Sequence, residues 1–239
     1  MQFKTATYTN IGGRACNEDT VRLVHHPRGS LCVVVADGLG GHGGGDLASQ
    51  KAAEVICSQW TGGTTPQCLI SPIQEAHRQI QAMQTQKQAM RSTVAALVVG
   101  DGTAAHAHAG DSRVYHFVNG RLVFQTLDHS ASQIAVLMEE ITPEQIRFHE
   151  DRNRVLRCLG QDGALQPAAA DCPLEPGSHA FLLCSDGFWE YVLEPEMEQD
   201  LQAAADPQDW LDRMLVRLNR RIPAHNDNNT AAAVWFNIP

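Results

Sequence analysis

Residues 33–46, VVVADGLGGHGGGD, constrain this chain more than any other stretch. An unbroken apolar run of this length reads as a buried strand. It stops at an acid, Asp37, and six of the next eight residues are glycine, with His42 among them. Glycine lets a backbone turn sharply and come close to a ligand. An acid where a strand ends sits on rigid support, a good place for a functional group. Such a stretch suits either a metal ion held by Asp37 or a phosphate held by backbone N–H groups.

The rest of the chain sets the architecture. Thr- and aromatic-rich residues 2–10 predict a strand, followed by strands at 20–25 and 31–36. Asp46 is placed to cap a helix over 46–60, and Ser71-Pro72 to open a second over 71–90. Strands 92–100 and 103–109 flank the hairpin signal Asp101-Gly102, and strands 114–118 and 121–126 flank Asn119-Gly120. Residues 128–160 are polar and mostly helical in pattern, and read as an inserted flap. Strands at 165–171 and 179–184, helices at 194–204 and 207–222 and a last strand at 231–237 complete the chain. Strands cluster around hairpin-length turns and helices come in pairs. That pattern predicts an α+β layered sandwich of antiparallel sheets covered by helix pairs, not a parallel sheet. No repeat or linker divides it, so 1–239 reads as one domain.

Composition narrows the partners. Lys plus Arg is 18 and Asp plus Glu is 27, a net charge of −9. No basic arm or stripe offers itself to nucleic acid. An acid excess suits a site that collects divalent cations. The seven cysteines are odd in number and include no C-x-x-C pair, which fits a reducing compartment. The N-terminus lacks an apolar signal segment and no apolar run reaches the roughly 20 residues of a membrane span. The expectation is a soluble, cytoplasmic protein that binds neither nucleic acid nor membrane.

Three readings compete for the glycine stretch. Gly38-Leu39-Gly40-Gly41-His42-Gly43 fits the dinucleotide fingerprint G-x-G-x-x-G. Asp37 would then sit beside the pyrophosphate, and residues 57–66 supply no second strand ending in an acid for the ribose. Cys16 to Arg22 fits the C-x₅-R loop of a cysteine phosphatase, but Glu18 and Asp19 inside it would repel phosphate and thiolate alike. The metal reading needs further acids in similar places, and they exist. Asp186 follows the apolar run 180–185 and precedes a glycine. Asp227 precedes the last strand, Asp111 ends the strand 103–109, and Glu18 and Asp19 lie just before a strand. Hard oxygen donors without a Cys/His set suit Mg²⁺ or Mn²⁺. An isolated Asp-Gly is more often a turn than a ligand, and Asp101-Gly102 and Asp162-Gly163 read as plain turns.

Taken in order, Arg14-x-x-Asn17-Glu18-Asp19, Ala36-Asp37-Gly38-Leu39-Gly40-Gly41-His42, Ser92-Thr93, Gly110-Asp111-Ser112-Arg113, Asp128-His129-Ser130, Ile141-Thr142-Pro143-Glu144, Arg152-Asn153, Leu159-Gly160, Cys184-Ser185-Asp186-Gly187 and Asp227-Asn228-Asn229-Thr230 span nearly the whole chain. In this order and spacing it resembles the metal-dependent serine/threonine protein phosphatases of the 2C type, in their compact bacterial form. The resemblance implies a four-layer α-β-β-α sandwich of two antiparallel sheets flanked by helix pairs. It implies two Mn²⁺ or Mg²⁺ ions and a weaker third. By position, Asp37 would bridge two metals with the Gly38 carbonyl on one. Asp186 and Asp227 would complete the first, Glu18 would hold the second, and Asp111 would join Asp186 at the third. Asp19 and Asn228 would support these ligands. Arg14 would hold the substrate phosphate, and His42 would protonate the leaving group. Substrates would be phosphoserine and phosphothreonine proteins, with a cognate kinase as partner and a monomeric enzyme.

The chemistry suits the residues on its own terms. Two cations lower the pKa of a bridging water and clamp phosphoryl oxygens, so a hydroxide can attack phosphorus in line. Arg14 offers a planar fork for phosphate. A serine alkoxide leaves poorly, so an acid such as His42 helps. The alternative is a catalytically silent module that binds phosphoproteins or a kinase. Among the remaining motifs, Arg113 is expected to brace the Asp111 turn. Asp128-His129-Ser130 opens the flap rather than forming a hydrolytic triad, and His106 and His108 share a strand face with no third ligand evident. Gly43-Gly44-Gly45 is richer in glycine, and 149–151 poorer in proline, than the resemblance leads one to expect.

Overall fold

The computed structural model describes residues 1–40, 43–85 and 89–239. The chain enters through β1 (Lys4–Asn10), β2 (Asp19–His25) and β3 (Leu31–Asp37), then α1 (Gly45–Gln59) and α2 (Gln67–Met83). β4 (Val94–Gly100), β5 (Thr103–Ala109), β6 (Arg113–Val118) and β7 (Arg121–Gln125) follow. The flap carries α3 (Ala131–Leu137) and a 3₁₀ turn (Pro143–Phe148). β8 (Ala168–Cys172), β9 (Gly177–Cys184), α4 (Asp186–Trp189), α5 (Glu194–Ala203), α6 (Pro207–Arg221) and β10 (Asn229–Ile238) end it.

Among the described residues the strands form two five-stranded antiparallel sheets, ordered β1-β10-β9-β6-β7 and β2-β3-β4-β5-β8. Side-chain alternation explains the layers. Val33 and Val35 of β3 pack between the sheets with Leu97, Val114, Phe181 and Val234. The intervening Cys32, Val34 and Ala36 pack under α1 and α2 with Ile56, Ile73 and Ile80. Tyr115, Phe117 and Leu182, on the outer face of the other sheet, meet Trp210, Met214 and Leu218 of α6. A strand clothed on both faces has no need to alternate polar and apolar residues, which is why β3 is apolar throughout. The four-layer α-β-β-α sandwich expected from the sequence is the fold observed.

The hairpins fall where expected. Gly100 pairs with Thr103 across Asp101-Gly102, whose φ values of 51° and 74° are both positive, as a tight two-residue hairpin demands. Helix α2 departs from expectation. It begins at Gln67, four residues before Ser71, ends at Met83, and carries Pro72 inside it. Leu69, Ile73, Ala76 and Ile80 form a buried stripe against the sheet, and that burial outweighs the single hydrogen bond that Pro72 cannot make. The flap is less helical than its pattern predicts. Its loops are held instead by contacts such as Leu156 N to His129 O at 2.7 Å and His129 N to Gly110 O at 2.9 Å. Helix α4, a single turn, was not anticipated. No described helix is long and apolar enough to cross a membrane.

Candidate active site

The acids gather because the topology brings their strands to one end of both sheets. Asp37 ends β3, and its register partner on β2 is Asp19, with Glu18 immediately before it. In the other sheet β10, β9 and β6 are neighbours. Asp227 precedes β10, Asp186 follows β9, and Asp111 precedes β6. Arg14, Glu18, Asp37, Gly38, Asp111, Asp186 and Asp227 all line one cleft of about 530 Å³. His42 lies outside the described residues.

Hydroxyls and amides hold this end together. Ser185 donates to Asp19 Oδ2 at 2.8 Å and accepts from Thr230 N at 3.0 Å, joining the two sheets beneath the acids. Thr93 Oγ1 accepts from Asp37 N at 3.2 Å and shares a 2.7 Å hydrogen bond with Ser112, so the Asp37 and Asp111 strands are braced by one hydroxyl. Asn228 Oδ1 accepts from Glu18 N at 2.8 Å, and its Nδ2 donates to the carbonyls of Ile11 and Cys16. Asn228 therefore shapes the loop that presents Arg14 and Glu18. The glycines serve close approach: a Cβ on Gly40 would fall on the Glu18 carboxylate, and one on Gly38 on the Gly45 carbonyl.

Arg113 braces the Asp111 turn. Its guanidinium makes a buried two-pronged pair with Asp128 at 2.8 and 2.7 Å and lies 3.5 Å over the Trp189 ring. Trp189 Nε1 in turn donates to the Asp111 carbonyl at 2.9 Å. Because Asp128 is taken by Arg113 and Ser130 caps α3, no triad forms with His129. His106 faces Cys172 Sγ at 3.4 Å and His108 faces the Leu127 carbonyl at 2.9 Å. Burial pushes His106 down to about 4, so it is neutral within the core.

The electrostatics of the cleft are those of crowded anions. Burial, then the charge of Asp19, holds Asp37 well above the usual carboxylate range. Burial and Asp186 do the same to Asp111. Asp186 is pushed up to about 6 by burial and Asp227, and Asp19 to about 7 by burial. Among the described residues the buried oxygens Asp19 Oδ1 and Asp111 Oδ1 have no hydrogen-bond partner. Among the described residues the salt bridge to these acids comes from Arg14, whose Nη2 lies 2.6 Å from Asp227 Oδ2 at the exposed rim. Among the described residues no three His, Cys, Asp or Glu side chains close into a metal cage.

Leu39 and Asn153, quoted above only as parts of motifs, line the cleft too, as do Arg91 and Val155, which the sequence did not single out. Arg91 and Val155 carry no local signal, since each is brought to the cleft only by tertiary folding.

The family pattern of protein phosphatase 2C matches residues 8–228. The chain belongs to the protein phosphatase 2C family. It is a serine/threonine protein phosphatase, as its relatives also are by name. The serine/threonine phosphatase Stp of Listeria welshimeri is 30% identical over 232 residues, 93% of this chain and 91% of that one. The solved serine/threonine phosphatase Stp1 of Staphylococcus aureus superposes with a TM-score of 0.87 at 25% identity, covering 100% of this chain and 96% of that one. The catalytic domain of the serine/threonine phosphatase PstP, solved in complex with two manganese ions, superposes with a TM-score of 0.81 at 26% identity, covering 97% of each chain.

Proposed function

We propose that this phosphatase hydrolyses phosphoserine and phosphothreonine in proteins with divalent cations, Mn²⁺ or Mg²⁺, held by the acid cluster. The observation that carries the reading is the set of carboxylates gathered in one cleft, of which, among the described residues, only Asp227 is in a salt bridge. Unpaired buried carboxylates are costly in a fold that gains nothing from them. The unpartnered oxygens of Asp19 and Asp111 and the glycine-lined cradle around Glu18 fit a cationic occupant. A closed three-carboxylate cage is not required, because Mg²⁺-like ions keep several waters and use one or two carboxylates.

Asp37, Asp186 and Asp227 would hold one ion. Glu18 and Asp37 would serve a second, the Gly38 carbonyl would be on one of these two, and Asp111 with Asp186 would hold a weaker third. Bound cations supply an acidified water as nucleophile and polarise the phosphoryl oxygens. Arg14, paired with Asp227 at the exposed rim, would offer its planar fork to the substrate phosphate. Asn228 and Asp19 hold the ligand loops in place. His42 protonates the departing serine or threonine oxygen. Its substrates imply a serine/threonine kinase that installs the phosphate, and the enzyme acts as a monomer.

A silent binding module would have no reason to retain this uncompensated acid set. Hydrolysis of p-nitrophenyl phosphate and of a phosphothreonine peptide, with Mn²⁺ and then with EDTA, tests the reading. Turnover that appears with Mn²⁺ and vanishes with EDTA is expected. Turnover indifferent to EDTA, or none in freshly metallated protein, overturns it.

A further inference from the structure

Arg91 stands on the wall of the same cleft as Arg14. Its backbone is pinned. The Arg91 carbonyl accepts from Leu39 N at 2.9 Å, and the next residue, Ser92, bridges to Gly38 on one side and to Leu159 at the return of the flap on the other. The Arg91 backbone is therefore fixed between the glycine loop and the flap, whose Asn153 and Val155 also line the cleft. Its side chain is exposed. Arg14, Arg113, Arg147 and Arg152 each hold a carboxylate. Among the described residues Arg91 holds none.

The two cleft arginines are held differently. Arg14 is paired with a site acid, 2.6 Å from Asp227, whereas Arg91 is carried on the segment that bridges through Ser92 to Gly38 and to Leu159 of the flap. A phosphate seated at the acids falls to Arg14. What passes Arg91 is the peptide on either side of the phosphorylated residue. In an acid-lined cleft of a chain with net charge −9, an acidic flanking residue is repelled unless a cation receives it.

We propose that Arg91 is a specificity-determining residue that receives the carboxylate of an aspartate or glutamate next to the phosphoserine or phosphothreonine of the substrate. This rests on the phosphatase reading of the cleft. The guanidinium fork matches a carboxylate in two-pronged geometry, and a hydrogen bond to a charged group carries about a tenfold effect on binding.

The test uses two phosphothreonine peptides of equal length, one flanked by glutamate and the other by glutamine. The ratio of their kcat/KM values is compared between the wild-type enzyme and Arg91→Gln, with Mn²⁺ present. The ratio is expected to fall about tenfold in Arg91→Gln, mostly through KM, and to fall less in Arg91→Lys, which keeps the charge and loses the fork. Raising the salt should shrink the wild-type preference as well. An unchanged ratio, or an equal loss on both peptides, overturns the assignment. The same ratio is read in equilibrium binding of the two peptides with a non-hydrolysable phosphonate in place of the phosphate. Wild-type protein that hydrolyses neither peptide refutes the phosphatase reading, and the binding ratio still decides the role of Arg91.

Discussion

Replacing Asp19 with asparagine should stabilise the metal-free protein at pH 8. Asp19 is 8% exposed, its Oδ1 has no partner among the described residues, and burial lifts it from 3.8 to about 7. Below pH 4 the carboxyl is protonated in both folded and unfolded chains. Between pH 4 and 7 the unfolded chain releases its proton while the folded chain keeps it. Stability therefore falls as pH rises, by about 1.36 kcal/mol per pH unit over about three units. Above pH 7 the loss levels off near 4 kcal/mol, an upper bound because the fold relaxes around the charge. Asparagine carries no charge, can still accept from Ser185, and places an NH₂ among the Asp37 and Asp186 carboxylates. The expected gain at pH 8 is about 2–4 kcal/mol, roughly 5–15 °C in Tm for a chain of this size.

Histidines pull the other way in both proteins. His116 and His129 are held at about 3 and His106 at about 4, so acid below 6.5 favours the unfolded chain. Measuring Asp19→Asn against wild type at each pH cancels that contribution. Thermal unfolding in EDTA from pH 4 to pH 8 is the assay. The gain should be near zero at pH 4, grow to pH 7, and shrink when Mn²⁺ is added. A variant no more stable than wild type at pH 8, or equally stabilised at every pH, refutes the reasoning.

Three further outcomes follow from the same contacts. Thr93→Val leaves Asp37 N–H and the Ser112 hydroxyl without their buried partner, so it should cost about 1–3 kcal/mol by urea unfolding and lower kcat about tenfold. Arg113→Ala strands Asp128 in the core, and a loss of about 3–5 kcal/mol is expected; a change below 1 kcal/mol would argue that the pair is dispensable. His42→Ala should slow a phosphothreonine peptide far more than p-nitrophenyl phosphate, whose leaving group needs no acid, and equal losses would rule out a proton donor.

The layers of this fold were legible because their cause is local. The apolar β3, the positive-φ turn Asp101-Gly102 and the amphipathic α6 each announce themselves over fewer than 20 residues. The acids were legible too, since each sits where a strand begins or ends. What brings Asp111 and Asp186 beside Asp37 is a sheet order in which sequence-distant strands are neighbours. The order of motifs pointed there, whereas no single residue did. The start of α2 was misplaced because Pro72 gives a strong local signal, and only burial of Leu69 and Ile73 reveals that the helix runs through it. The Arg113–Asp128–Trp189 brace and the position of Arg91 depend on contacts across tens of residues, which no window of sequence contains.

The central claim is that Asp37 and its neighbouring acids hold the cations that drive phosphate release. Mn²⁺ binding, followed by electron paramagnetic resonance, and phosphate release from a phosphothreonine peptide are best measured together on wild type and Asp37→Asn. Wild type should bind two ions tightly and turn over. Asp37→Asn should stay folded, lose at least one ion, and lose turnover by about 10³-fold or more, the scale on which removal of a key catalytic group acts. An Asp37→Asn enzyme that binds both ions and keeps near-normal turnover would contradict the account.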